Sequence, residues 1–203
     1  MKIAVFIKPI LQFPITQENT KVSLDYEKVT MNEADSCALE ESIKLIKIYG
    51  GEVTCISIGG PECLRVLKEA LIRGANNAIF LNEPSFNKLD ELSDSLNGQL
   101  PIIVAELLGL PHITYVNKVK IEESKVVCEK RYEDEIYICE TRMPAVLGVT
   151  VDLNKPKKVE NISGITIDQS KIMTLDLKSI GLKLEDLSSR IKIIDTKNLL
   201  KQR

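Results

Sequence analysis

The amino-acid sequence predicts an α/β fold: a doubly wound, mostly parallel sheet with an antiparallel β meander and a C-terminal arm. Three observations carry this. Short runs rich in β-branched residues alternate with helix-period segments through residues 2–82, the βαβ pattern of a parallel sheet. Those runs are continuously apolar, as in strands buried on both faces. From 113 to 141, three β-rich runs follow one another with only short polar turns between them, and such short turns can join only antiparallel neighbours.

The elements follow in chain order. Residues 2–8 read as a buried strand. Lys21–Asp25 and Lys28–Met31, split by a polar turn, read as a small hairpin. Asn32 is a good helix cap, and Glu33 and Asp35 suit the positive end of the helix dipole. Ala34, Ala38, Leu39, Ile43 and Ile46 mark the buried face of that helix, and Gly50-Gly51 ends it. A second buried strand spans 52–58. After Gly59-Gly60, Pro61 opens a helix whose face is Leu64, Leu67 and Leu71 and whose stop is Gly74. Residues 78–81 give a third strand. The stretch 83–98, with Pro84 and Asn97-Gly98, reads as a loop with at most one short helix, and Gln99–Leu108 as an apolar helix. The meander strands are 113–121, 125–131 and 135–141, and 144–150 returns as a buried strand. The chain then becomes more polar. Residues 152–180 read as an extended arm, with short helices at Leu184–Arg190 and Thr196–Lys201 around a strand at Ile191–Ile194. The natural division is a domain at 1–151 and an arm at 152–203.

Composition narrows the function classes. A chain of 203 residues with 44% hydrophobic content can bury a core of its own. Its 27 basic and 29 acidic residues leave a formal charge of -2, without the basic excess that nucleic acid requires. No apolar run is long enough to span a membrane, and Met1–Ile7 reads as a strand, not a signal peptide. The five cysteines are odd in number and lack CxxC spacing, the pattern of free thiols in a reducing cytoplasm.

Residues able to carry chemistry are few. The single histidine, His112, follows a proline and enters a strand, with no nucleophile motif beside it. Glu40-Glu41 and Glu133-Asp134-Glu135 read as a solvated helix face and a hairpin turn. There is no Walker or GxGxxG pattern. What remains is backbone: the strand ends Ile7-Lys8-Pro9, Ser57-Ile58-Gly59-Gly60 and Leu81-Asn82, and the helix start at Asn32. In an open parallel sheet, ligands sit at these carboxyl ends. No catalytic residue and no metal ligand is assigned.

Several segments together resemble the electron transfer flavoprotein beta subunit family. Val5-Phe6-Ile7-Lys8 is similar to the end of its first strand. Met31-Asn32-Glu33-Ala34-Asp35 through Glu41 resembles its acidic, alanine-rich helix. Ser57-Ile58-Gly59 and Ala70-Leu71-Ile72-Arg73-Gly74-Ala75 follow at family-like spacing. Later come Ala105–Pro111, Met143–Val149 and Leu153-Asn154-Lys155-Pro156.

The resemblance implies an adenine-nucleotide-hydrolase-like fold. It also implies pairing with an alpha-like subunit, and electron carriage from a dehydrogenase through an FAD held mostly by that partner. In the family a second nucleotide, AMP, has no catalytic role. By resemblance its site here is Phe6, Asn32, Glu33, Ala34, Asp35 and Ile58, with the phosphate loop on Ser95, Leu96 and Asn97. The resemblance thus makes 1–151 a nucleotide-binding domain and 152–203 a partner-docking arm. Residues 83–99 are shorter than the family's corresponding stretch, so the family's fourth parallel strand, next to the central one, is expected to be lost or replaced by another segment. The alternative is a nucleotide-binding or regulatory module of the same fold without redox work.

Overall fold

The computed structural model describes residues 1–11, 29–83, 99–157, 159 and 166–187. It contains a mostly parallel sheet, a small antiparallel pair and a second, largely antiparallel sheet. The parallel sheet is formed by β1 (Lys2–Phe6), β4 (Glu52–Gly59), β5 (Asn77–Asn82) and β10 (Ile172–Leu175), in the order β1-β4-β5-β10. Helix α1 (Glu33–Tyr49) connects into β4, and α2 (Cys63–Arg73) links β4 to β5. Both helices pack on the face that carries Val5, Val53, Cys55, Ala78 and Phe80, closing one core with Leu39, Ile43, Val66, Leu67 and Ala70. Strand order explains this. Both crossovers step in the same direction, and right-handed connections then place both helices on one side.

The expectation of strands buried on both faces is therefore corrected. In β1 only Val5 is fully buried, and its neighbours Ala4 and Phe6 are exposed. Across the sheet, Phe6, Ile56, Ile79 and Met173 form one row on the face opposite the helices. Among the described residues no strand pairs with the outer edge of β1.

Other local expectations shift for identifiable reasons. Residues 21–25 of the expected hairpin lie outside the described residues. Their proposed neighbour forms β3 (Val29–Met31), which pairs antiparallel with β2 (Pro9–Leu11). The buried stripe of α2 is Cys63, Val66, Leu67 and Ala70, with Leu64 and Leu71 only partly covered. A leucine-only reading misses it because small cysteine and alanine side chains let the helix sit closer to the sheet.

Glu40 is a further correction. It is not on a solvated face but 8% exposed. The Arg73 guanidinium, its side chain 2% exposed, donates to Glu40 at 3.3 Å, to Ser36 Oγ at 2.6 Å and to Ser36 O at 3.0 Å, and pairs with Glu69 at 3.6 Å. Glu40 also accepts the Lys157 N–H at 3.2 Å. Nearby, Asn154 Nδ2 donates to Cys37 O and to Glu41 Oε2, both at 3.0 Å. Arg73 thus joins α1 to α2, while Glu40, Glu41 and Asn154 tie α1 to the chain leaving the second sheet.

That second sheet has the order β8-β7-β6-β9, from β6 (His112–Glu122), β7 (Lys125–Tyr132), β8 (Glu135–Arg142) and β9 (Val146–Val149). β6, β7 and β8 form the antiparallel meander, and β9 lies parallel to β6 and is half-buried. A bulge in β6 puts Tyr115 at φ 59. Helix α3 (Gln99–Leu108) packs on β6 and β9, with Pro101 directly over Gly148. Downstream, the described part of the 152–180 stretch is not simply extended. Ile172–Leu175 is β10, the fourth parallel strand, beside β5 and not beside β1. Leu184–Leu187 is a single 3-10 turn, and the residues from 188 onward lie outside those described.

Candidate functional site

The carboxyl ends of β1 and β4 meet the start of α1. Asn32 shapes this junction because its short amide can cap the helix: Oδ1 accepts the N–H of Ala34 at 2.9 Å and of Asp35 at 3.3 Å. Two further bonds lock the cap to β1. The Asn32 N–H donates to Lys8 O at 3.0 Å, and the Lys8 N–H donates to Asp35 Oδ2 at 2.8 Å.

At the neighbouring strand end, Ser57 Oγ donates to Ile7 O at 2.8 Å, holding β4 against the end of β1. The Gly60 N–H donates to Glu62 Oε1 at 3.0 Å, and Glu62 is 8% exposed. A Cβ at position 60 would lie 2.7 Å from that carboxylate, so only glycine lets the carboxylate close on the backbone. The Glu83 N–H donates to Gly59 O at 2.9 Å, which brings the end of β5 into the same rim.

Among the described residues, no backbone partner is seen for one pair of groups beside this rim. Ile7 N–H donates to Ile56 O, so the ladder's alternation turns the N–H and C=O of Phe6 away from β4, toward the outer edge of β1. Lys8, two residues on, faces the same way, and its own pair is the one taken by Asn32 and Asp35.

The structure therefore brings six of the sequence-predicted residues to one end of the sheet. Phe6 and Ile58 lie on the same face, 39% and 41% exposed. Asn32, Glu33, Ala34 and Asp35 form the adjoining helix start. Ser95, Leu96 and Asn97 lie outside the described residues. Sequence reasoning missed the Ser57 bond to Ile7 and the Gly60–Glu62 contact. The signal was present in the Gly-Gly-Pro-Glu turn, which places an acid two residues after a glycine.

Four thiols have their acidity weakened by burial. Burial pushes Cys55 up to about 12 and Cys63 and Cys128 up to about 11, and it also raises Cys37. Burial raises Glu69 as well, against the pull of Arg73. These shifts disfavour thiolate chemistry. His112, an exposed residue at the start of β6, has no described acid–base arrangement around it.

Comparison with known proteins gives a consistent picture. The sequence matches the electron transfer flavoprotein domain model over residues 21–97 and 91–174. It is 30% identical to the electron transfer flavoprotein subunit beta of Clostridium acetobutylicum, over 98% of this chain and 89% of that relative. It is 31% identical to the subunit beta of Thermoanaerobacterium thermosaccharolyticum, covering 75% of this chain and 71% of the relative. For the Bacillus subtilis subunit beta the identity is 27%, over 89% and 80%. The first alignment runs over 237 positions against a chain of 203, so it holds positions without a counterpart here. The domain match divides at 91–97, inside the stretch read as shortened.

Proposed function

Because the chain belongs to the electron transfer flavoprotein family, with beta subunits as its near-full-length relatives, we propose that it pairs with an alpha-like subunit and carries electrons through an FAD held mostly by that partner. The carrying observation is the beta-subunit likeness over 98% of the chain. The bound flavin would supply the one- and two-electron chemistry. This chain's part is to cover and position, not to move protons.

An apolar surface among the described residues supports that division. Helix α3 carries Ile103, Leu107 and Leu108 outward at 52%, 81% and 63% exposure, and Tyr115 projects at 50%. Apolar side chains on this scale fit a surface completed by another polypeptide. We assign the alpha-like subunit to it, and a dehydrogenase as electron donor in the cytoplasm. Among the described residues no helix is long and apolar enough to cross a membrane. Phe6, Asn32–Asp35 and Ile58 form the frame of a second nucleotide site. The N–H and C=O of Phe6, without a partner among the described residues, would offer the adjacent donor and acceptor that an adenine edge requires.

Co-production with an electron transfer flavoprotein alpha-like subunit tests the proposal. The expected product is a yellow heterodimer with flavin absorption that bleaches on reduction. A colourless chain that releases an adenine nucleotide on denaturation would instead support a non-redox module of the same fold.

A further inference from the structure

Cys128 on β7 and Cys139 on β8 stand directly opposite each other in the antiparallel ladder. The side chains of such a pair leave the sheet on the same face. On that face both sulfurs pack with the small core of Ile113, Val116 and Val126. Directly opposite residues have Cα atoms about 4.5–5.5 Å apart, and a disulfide spans Cα separations of about 4.4–6.8 Å. The backbone therefore already meets the reach of the bond. No other two cysteines pair in a ladder: Cys37 and Cys63 lie on α1 and α2, and Cys55 faces Val5 and Ala78. The two thiols differ in access to water. Cys128 is fully buried and Cys139 half-buried. Burial pushes Cys128 up to about 11, and the Cys139 sulfur adds to that rise, so the pair also interact electrostatically. Among the described residues β8 is the outermost strand of its sheet, held by β7 alone, and it carries Ile136 and Ile138 outward.

We infer that Cys128 and Cys139 form a reversible disulfide in the folded chain, a hydroperoxide-driven staple between β8 and β7. The staple does not depend on the electron-carrier reading. Cys139, the thiol nearer water, reacts first. Its sulfur attacks the terminal oxygen of the hydroperoxide, the O–O bond breaks, and the Cys139 proton leaves with the departing water or alcohol. Cys139 is then a sulfenic acid. The Cys128 sulfur attacks it, the S–S bond forms, the S–O bond breaks, and the hydroxide leaves as water with the Cys128 proton. The two thiols give up two electrons and the hydroperoxide takes them. Burial slows the second step, because little of Cys128 is thiolate, but the attack is on an adjacent side chain. Reagents in the surrounding water reach Cys139 and not Cys128.

Treatment of the reduced, folded, full-length chain with hydrogen peroxide tests this, followed by alkylation in denaturant and mass spectrometry of the tryptic peptides. Trypsin cuts between the two cysteines at Lys130 and Arg131. The expected result is that peptides 126–130 and 132–142 appear joined, lighter by two hydrogen atoms than the two free peptides together, and part on treatment with dithiothreitol. Alkylation of Cys128 and Cys139 falls in step, and that of Cys37, Cys55 and Cys63 is unchanged. In Cys128→Ala the joined peptide is lost and Cys139 instead gains oxygen. Three results in the wild-type chain would each overturn the inference: both thiols fully alkylated, Cys139 oxygenated while Cys128 stays a thiol, or a link only between the Cys139 residues of two chains. The wild-type peptides decide the matter even where the variant fails to fold.

Discussion

Arg73→Leu should be among the most costly single substitutions in this chain. The guanidinium is nearly sealed from water and pairs with two carboxylates, Glu40 and Glu69, whose side chains are 10% and 15% exposed. It also satisfies Ser36 Oγ and O. Leucine retains most of the aliphatic packing but leaves two part-desolvated carboxylates without a cation. Breaking a buried pair by removing one partner costs about 3–5 kcal/mol. Against a domain stability of about 5–15 kcal/mol, that is a large fraction. The expected loss is about 3–5 kcal/mol in urea unfolding followed by far-ultraviolet circular dichroism, with an unchanged m-value.

The variant also has a pH signature. Burial already raises Glu69 above its usual value, and Arg73 is the main force opposing that rise. Without the arginine the folded-state value rises further. In the window between the unfolded and folded values the native state then binds more protons than the unfolded one. Stability must fall as pH rises through that window and recover on acidification. The deficit relative to wild type is therefore expected to shrink between neutral and mildly acid pH. A loss below about 1 kcal/mol, or a deficit that does not change with pH, would refute the claim that this cation holds the two helices together.

Three further outcomes are expected. Gly51→Ala should abolish or severely weaken folding, because φ is +123° there and a Cβ would sit 1.8 Å from Met1 O; a thermal melt reads it directly. Gly148→Ala brings a Cβ to 3.0 Å from Pro101 Cγ and 3.3 Å from Thr114 Cγ2, and should cost about 1–3 kcal/mol by prising α3 from β9, with the loss in urea unfolding largely relieved in the Gly148→Ala/Pro101→Ala double variant. Of the five thiols, only half-buried Cys139 should react promptly with an aromatic disulfide reagent at pH 8, the four buried thiols reacting only on unfolding; fast modification of two or more would contradict their burial.

Much of this fold is written in local signals. Asn32 with its two following acids marks the helix start because capping is a single-residue interaction, and Gly50 marks the stop. The meander is legible because period-two strands joined by two-residue turns leave no other pairing. The role of Arg73 is not legible: a cation in the last turn of a helix reads as a solvent-facing complement to the dipole, and only the packing of α2 beside α1 buries it. Glu40 is hidden for the same reason, since nothing local distinguishes it from Glu41. The position of β10 is likewise non-local. Its four residues carry no signal for which edge of the sheet they join. At the candidate site, the helix start and strand ends could be located from sequence, whereas the occupancy of their amides by Asp35 and Glu62 depends on side-chain geometry.

The place of β10 has a consequence for how the chain is made. Its partner β5 ends at Asn82, and β10 begins at Ile172. At a ribosomal pace of about 5–20 residues per second, the edge of β5 waits roughly 5–20 s for its neighbour to emerge. Throughout that interval Ile79 and Leu81 stand on an unpaired strand edge beside a core that is otherwise ready to close. The meander is synthesised in the meantime and can fold by local pairing alone. Newborn chains stalled or cleaved before residue 172 would therefore present an open parallel edge, the form most exposed to pairing with another copy.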